Sequence, residues 1–156
     1  MSCIYRIILT VSGLIAAAVA FAQTPVEAVV LKYDNVSGAK SFVAQGLRMD
    51  LARRLLATTP VAPIASDVDE LAILKMEGTS QGIQKRFVSD LEDALEKYEY
   101  YGKFPSKNGP VKVYVHYSSP GKVDELVIFN PEICSLNSLY GNFTTQSLQQ
   151  IARQAQ

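Results

Sequence analysis

The chain of 156 residues holds a single histidine, His116, in the stretch "KVYVHYSSPGKVDELVIFN" from Lys112 to Asn130. To act as a general base, a histidine needs an orienting carboxylate and a nucleophile within hydrogen-bond reach. Pro120 and Gly121 suit the second and third positions of a tight turn, and setting Ser119 opposite Lys122 brings Glu125 across from His116. Ser118 and Ser119 supply nearby hydroxyls, but neither lies within a GxSxG elbow that would present it as a nucleophile. A hydrolase built on His116 is therefore the weakest reading of these residues. His116 reads instead as a solvated strand residue beside a carboxylate, a cross-strand pair that contributes about 0.2–1 kcal/mol.

Other chemistry finds fewer residues still. Of the two cysteines, Cys3 precedes an apolar run and Cys134 stands alone after it. One histidine and one cysteine cannot assemble a transition-metal site of nitrogen and sulfur ligands. The acidic stretch "SDVDE", Ser66 to Glu70, lacks the length and the glycine of a calcium loop. No glycine-rich phosphate cradle is present. The expectation is a protein without catalytic residues, metal or cofactor. Its 15 basic and 15 acidic residues give no electrostatic case for nucleic acid or for an anionic membrane surface.

The same strand register yields a different kind of candidate. It sets Tyr114 opposite Val127 and Lys112 opposite Phe129, so Tyr114, Val127 and Phe129 form an apolar strip on the face that carries His116 and Glu125. The other face carries Val111, Val113, Val115, Leu126 and Ile128, and reads as core. A sheet that is apolar on both faces is either covered on both or offers one of them to a partner. Tyr114, Val127 and Phe129, with His116 and Glu125 at one end, are thus the candidate binding residues.

The elements that must position this hairpin follow from periodicity and punctuation. Thr24, Pro25 and Glu27 form a helix start with a capping box, followed by Val26, Val29, Val30 and Tyr33 on one face. "KSFVAQ" (Lys40 to Gln45) is a short strand. In the next helix Leu47, Leu51 and Leu55 recur every fourth residue and define its apolar stripe. "ELAILKM" (Glu70 to Met76) reads as a buried strand. Between Gln81 and Glu99 a long helix carries Ile83, Phe87, Leu91, Leu95 and Tyr98 on one side, with charges on the other. Strand-like runs then occupy Tyr100 to Phe104, Val111 to Ser118, Val123 to Asn130 and Ile133 to Phe143, with Cys134 buried in the last. A final helix is capped by Thr144, with Phe143 and Leu148 as a hydrophobic staple. The expected fold is α+β: a largely antiparallel sheet ending in a strand meander, with the helices packed on one face.

The start of the chain reads as an export signal. Arg6 precedes an uncharged run from Ile7 to Ala22 that ends in Ala20-Phe21-Ala22, the small-residue pattern of a cleavage site. The run falls short of the ~20 residues that span a bilayer, so no membrane span is expected after cleavage. A single domain from Gln23 to Gln156 would remain, periplasmic or secreted.

From Val26 to Arg153 the order of segments resembles the domain of unknown function 4252 family of exported Bacteroidetes proteins. The resemblance rests on "SFVAQGLRMDLARRL", "LAILKMEG", "LEKYEYYGKF", "VKVYVHYSSPGKVDELVIFN" and "LYGNFTTQSLQQIA". It implies an α+β fold and export, and no assigned activity, so no functional residue is carried over. The leading expectation is a non-enzymatic envelope protein that binds a protein or peptide through a sheet face or edge. The alternative is a binder of a small apolar ligand. The export reading predicts that the mature chain begins at or near Gln23, and N-terminal sequencing of exported material should find that residue rather than Met1.

Overall fold

The computed structural model describes residues 24–154; the expected signal segment and Cys3 lie outside the described residues. Thr24 caps helix α1 (Pro25–Tyr33) by the expected box: its hydroxyl accepts from the Glu27 amide at 3.1 Å, and the Glu27 carboxylate accepts from the Thr24 amide at 3.2 Å. Strand β1 (Lys40–Gln45) follows, and Gly46 alone links it to helix α2 (Leu47–Leu56). That link needs a φ of +55°, which a residue without a Cβ adopts at no steric cost. A 3-10 turn at Ala62–Asp67 leads into β2 (Val68–Lys75), then α3 (Gln81–Leu95). Strands β3 (Glu99–Phe104), β4 (Val111–Ser119), β5 (Lys122–Asn130) and β6 (Ser135–Thr144) form the meander, and α4 (Thr145–Gln154) closes the described chain.

All six strands join one sheet in the order β1-β2-β6-β5-β4-β3, antiparallel at every pairing. The fold is therefore α+β. The hairpin register is the expected one, with His116 opposite Glu125, Tyr114 opposite Val127 and Lys112 opposite Phe129. β6 is the seam: its other edge pairs with β2 and so ties the first half of the chain to the meander.

Expectation and structure part over the helices, which cover both faces of the sheet rather than one. Helices α1 and α3 pack on the face of Leu74, Val127, Phe129 and Leu136. The opposite face, with Leu71, Val115, Leu126 and Leu139, takes α2, the 3-10 turn and α4. The reason lies in the strands, whose alternating positions are apolar on both sides, so that each face needs a partner. The Tyr114–Val127–Phe129 strip is accordingly core beneath α1 and α3, with Val127 fully buried and Phe129 4 % exposed. Phe87 from α3 meets Phe129 edge-on at 6.3 Å between ring centroids. As an exposed partner surface the strip is overturned.

Helix α2 is turned the other way from its expected phase. Met49 and Ala52 are buried, whereas Leu47, Leu51 and Leu55 are 89, 64 and 63 % exposed. Two apolar stripes compete on this helix, and a polar anchor on the face of Met49 and Ala52 selects that one. Arg53 donates through Nε to the Val68 carbonyl at 2.9 Å, and through its terminal nitrogens it pairs with Asp50 at 2.8 Å and Asp69 at 3.8 Å. Holding Arg53 against the start of β2 rolls Met49 and Ala52 inward.

Cys134 is buried as expected, but in the turn before β6 rather than in the strand, at a φ of +49°. Its carbonyl accepts from the Met76 amide at 2.9 Å, and burial pushes its thiol pKa up. The two glutamate substitutions that separate core from surface follow directly. Phe129→Glu should cost upwards of about 3 kcal/mol, because it places an unpaired carboxylate in the core. Leu51→Glu should stay within about 0.5 kcal/mol of the parent. Denaturant unfolding of the two variants measures both.

Candidate functional site

His116 does not bond to the carboxylate opposite it. Its Nδ1 lies 2.7 Å from Asp124 Oδ1, and its ring tilts against Tyr98 at 5.1 Å between centroids. The cause is a bulge: the β4–β5 pairing shifts between His116 and Tyr117, and the β5–β6 pairing between Val123 and Glu125. The extra residue re-aims Asp124 toward the histidine and lets Glu125 turn inward. Among the described residues no serine hydroxyl bonds to His116; Ser118 Oγ points instead to the Lys122 carbonyl, at 3.5 Å. The sequence-derived pair of His116 and Glu125 thus resolves into two separate arrangements.

Glu125 is fully buried and sits at the centre of a polar cluster. The Tyr98 hydroxyl donates to Oε2, and Ser138 Oγ donates to Oε1 at 2.7 Å. The Tyr98 oxygen in turn accepts from the Val26 amide at 3.4 Å, in the first turn of α1. Thr24 Oγ1 lies 3.1 Å from the Tyr140 hydroxyl, next to the same carboxylate. Burial raises the Glu125 pKa above its ordinary 4.5, and the hydroxyl donors Tyr98 and Ser138 pull against that rise. Burial, and then the adjacent carboxylate, raise the pKa of both tyrosines. No buried polar side-chain atom among the described residues is left without a partner. The cluster pins the start of α1 to the middle of the sheet, and Tyr98, expected as part of a helical apolar stripe, contributes its hydroxyl as much as its ring.

A roomy groove lies on the other face. α2, the 3-10 turn and α4 cover only one end of it, leaving a groove of about 740 Å³. Its floor can be followed across the pairing rows. The row Ala44, Leu71, Leu139, Leu126, Val115 runs beneath the helices and is buried. Next comes Phe42, Ile73, Asn137, Ile128, Val113, of which all but Phe42 line the groove, and Ile73 and Ile128 on interior strands are incompletely buried. The third row, Lys40, Lys75, Ser135, Asn130, is polar and basic. Leu56 and Val61 wall one side, and Tyr101 and Phe104 from β3 the other. A concave, largely apolar surface with a few polar groups at one end is the usual form of a small-molecule site.

None of the five sequence-derived candidates lines this groove. Val127, Phe129, Tyr114, His116 and Glu125 all point to the opposite face, where the first three pack in or against the α1–α3 core. The groove residues Ile128 and Val113 were legible only as core, because nothing local reveals which part of a face the helices fail to reach. No protein-family model matches the chain, and no curated protein or solved structure matches it.

The Glu125 cluster makes stability depend on pH in a definite direction. The native carboxyl holds its proton above the unfolded value of 4.5. The unfolded chain therefore binds fewer protons as pH rises through that window, and unfolding becomes easier until the native pKa is passed. Glu125→Gln, which keeps an acceptor for Tyr98 and Ser138, should flatten this slope and be at least as stable as the parent at pH 7. Glu125→Ala should cost about 2–4 kcal/mol by orphaning both hydroxyls and leaving a cavity. Thermal melts across pH 4 to 8 test all three chains.

Proposed function

We propose that this is an exported, non-enzymatic binding protein that holds a small apolar molecule in the groove between the sheet and α4. The observation that carries the reading is the incompletely buried pair Ile73 and Ile128, on the interior strands β2 and β5, at the floor of a space of about 740 Å³. Interior strands ordinarily bury such residues, and leaving them wet forgoes about 25 cal/mol for each Å² of apolar surface. A ligand laid along that floor recovers this stabilisation. The apolar leader in the sequence and the resemblance to the domain of unknown function 4252 family support export to the envelope.

A second reading, capture of a protein or peptide at a sheet edge, is favoured by a different observation. Edge strand β1 has no register shift, and it exposes Phe42 and Val43. Beside it α2 exposes Leu47, Leu51 and Leu55. Unblocked, flat, apolar edges are templates for strand addition. The other edge, β3, is interrupted by a bulge at Tyr100 to Gly102.

The two readings make opposite demands on two variants. Fluorescence titration with the neutral dye N-phenyl-1-naphthylamine should show saturable binding to the protein. Ile128→Lys should weaken it at least about tenfold by desolvating a charge in the groove, with little change in melting temperature. Leu51→Glu should leave dye binding intact. Absence of saturable dye binding by the parent protein overturns the groove reading, and loss of partner capture in Leu51→Glu alone favours the edge.

A further inference from the structure

Lys40 and Lys75 stand directly opposite each other on β1 and β2. Like charges across an antiparallel pair repel, and here nothing relieves them. Among the described residues the ion pairs are made by Lys32, Arg53 and His116, none by these two lysines. Among the described residues Lys75 is also the one charged side chain that lines the groove. Lys75 lies two residues along β2 from Ile73 on the apolar floor; Lys40 is not itself in the lining but is the cross-strand neighbour of Lys75, on the same side of the pleat. The groove therefore grades from a closed apolar end under the helices to an open end marked by Lys75, with Lys40 beside it at the rim.

We infer that the occupant of the groove is a single-chain anionic amphiphile, its tail along Ile73, Asn137 and Ile128 and its head between Lys40 and Lys75. The inference rests on the groove reading above and adds the head group to it. Size limits the tail to one chain. At roughly 30 Å³ per methylene, taken as equal to a water molecule's share of the liquid, a space of about 740 Å³ holds one long chain with its head. Two long chains would overfill it. An anion between the lysines converts their repulsion into two charge-assisted contacts, and the Asn137 amide on the floor offers a polar contact to a substituted or unsaturated tail. The free energy of the tail is common to any amphiphile of equal length, so selectivity for charge resides in the two lysines.

Four probes of one chain length separate these contributions: dodecanoate, dodecyl sulfate, dodecanol and dodecyltrimethylammonium, each below its micellar concentration. Displacement of the neutral naphthylamine dye from the protein at low salt gives their relative affinities. Both anions should bind about tenfold tighter than the alcohol, and the cation weakest. The preference should shrink in high salt as the exposed charges are screened. In the double variant Lys40→Gln, Lys75→Gln the anions should fall to the affinity of the alcohol, with the alcohol unchanged. Equal binding of alcohol and anions, a preference for the cation, or anion selectivity that survives the double variant would each overturn the inference and leave the groove reading standing. Failure of all four to displace a dye that binds saturably overturns the inference alone, whereas absence of saturable dye binding removes both.

Discussion

A six-stranded antiparallel sheet whose strands are apolar on both sides is stable in water only when both faces are covered. Every other feature of this molecule answers to that constraint. The face of Val127 and Phe129 is closed by α1 and α3, two helices that also bind each other through Asp90, which accepts from Lys32 Nζ and from the Tyr33 hydroxyl, each at 2.6 Å. The opposite face is covered unevenly. α2 and α4 are ten residues each, about 15 Å of rod apiece, and both sit toward the end marked by Met49, Leu148 and Phe143. The remainder of that face is the groove. The candidate site is thus the area left over when short helices meet a wide sheet, and its polarity comes from the strands alone.

The buried carboxylate on the closed face plays a different part. An ionisable group in a core costs stability unless its partners satisfy it, and Glu125 is met by hydroxyls rather than by a cation. Hydroxyls can serve either protonation state, because each can donate or accept. The cluster links three places far apart in sequence: the cap of α1, the approach to β3 and the middle of β5 and β6. Its geometry gives those elements one relative placement, where apolar packing alone would tolerate several.

Local signals read the elements well. The capping box of α1, the alternation in β4 and β5 and the Ser119–Lys122 turn were enough to place most helices and strands and to set the hairpin register from Lys112 to His116. Three things were beyond them. The phase of α2 depends on Arg53 reaching the Val68 carbonyl, a contact across the chain that no helical periodicity encodes. The partner of His116 depends on a bulge, and inserting one residue changes which carboxylate arrives. The groove depends on how far α4 extends over the sheet, which is a property of the assembled layers. Lys75, the one basic residue in the run "ELAILKM", was the single local hint that one face of this strand does not end in core.

The place of β6 at the middle of the sheet also has a bearing on how the chain comes together. β6 is the last strand in sequence, yet it supplies one edge of pairing to β2 and the other to β5. Before its residues emerge, the β1–β2 pair and the β3–β4–β5 hairpins are two separate fragments, each with an apolar edge and no neighbour. Closure is then a single late event of long sequence separation, of the kind that slows folding. A chain so wired cannot complete its sheet until β6 is available to both fragments.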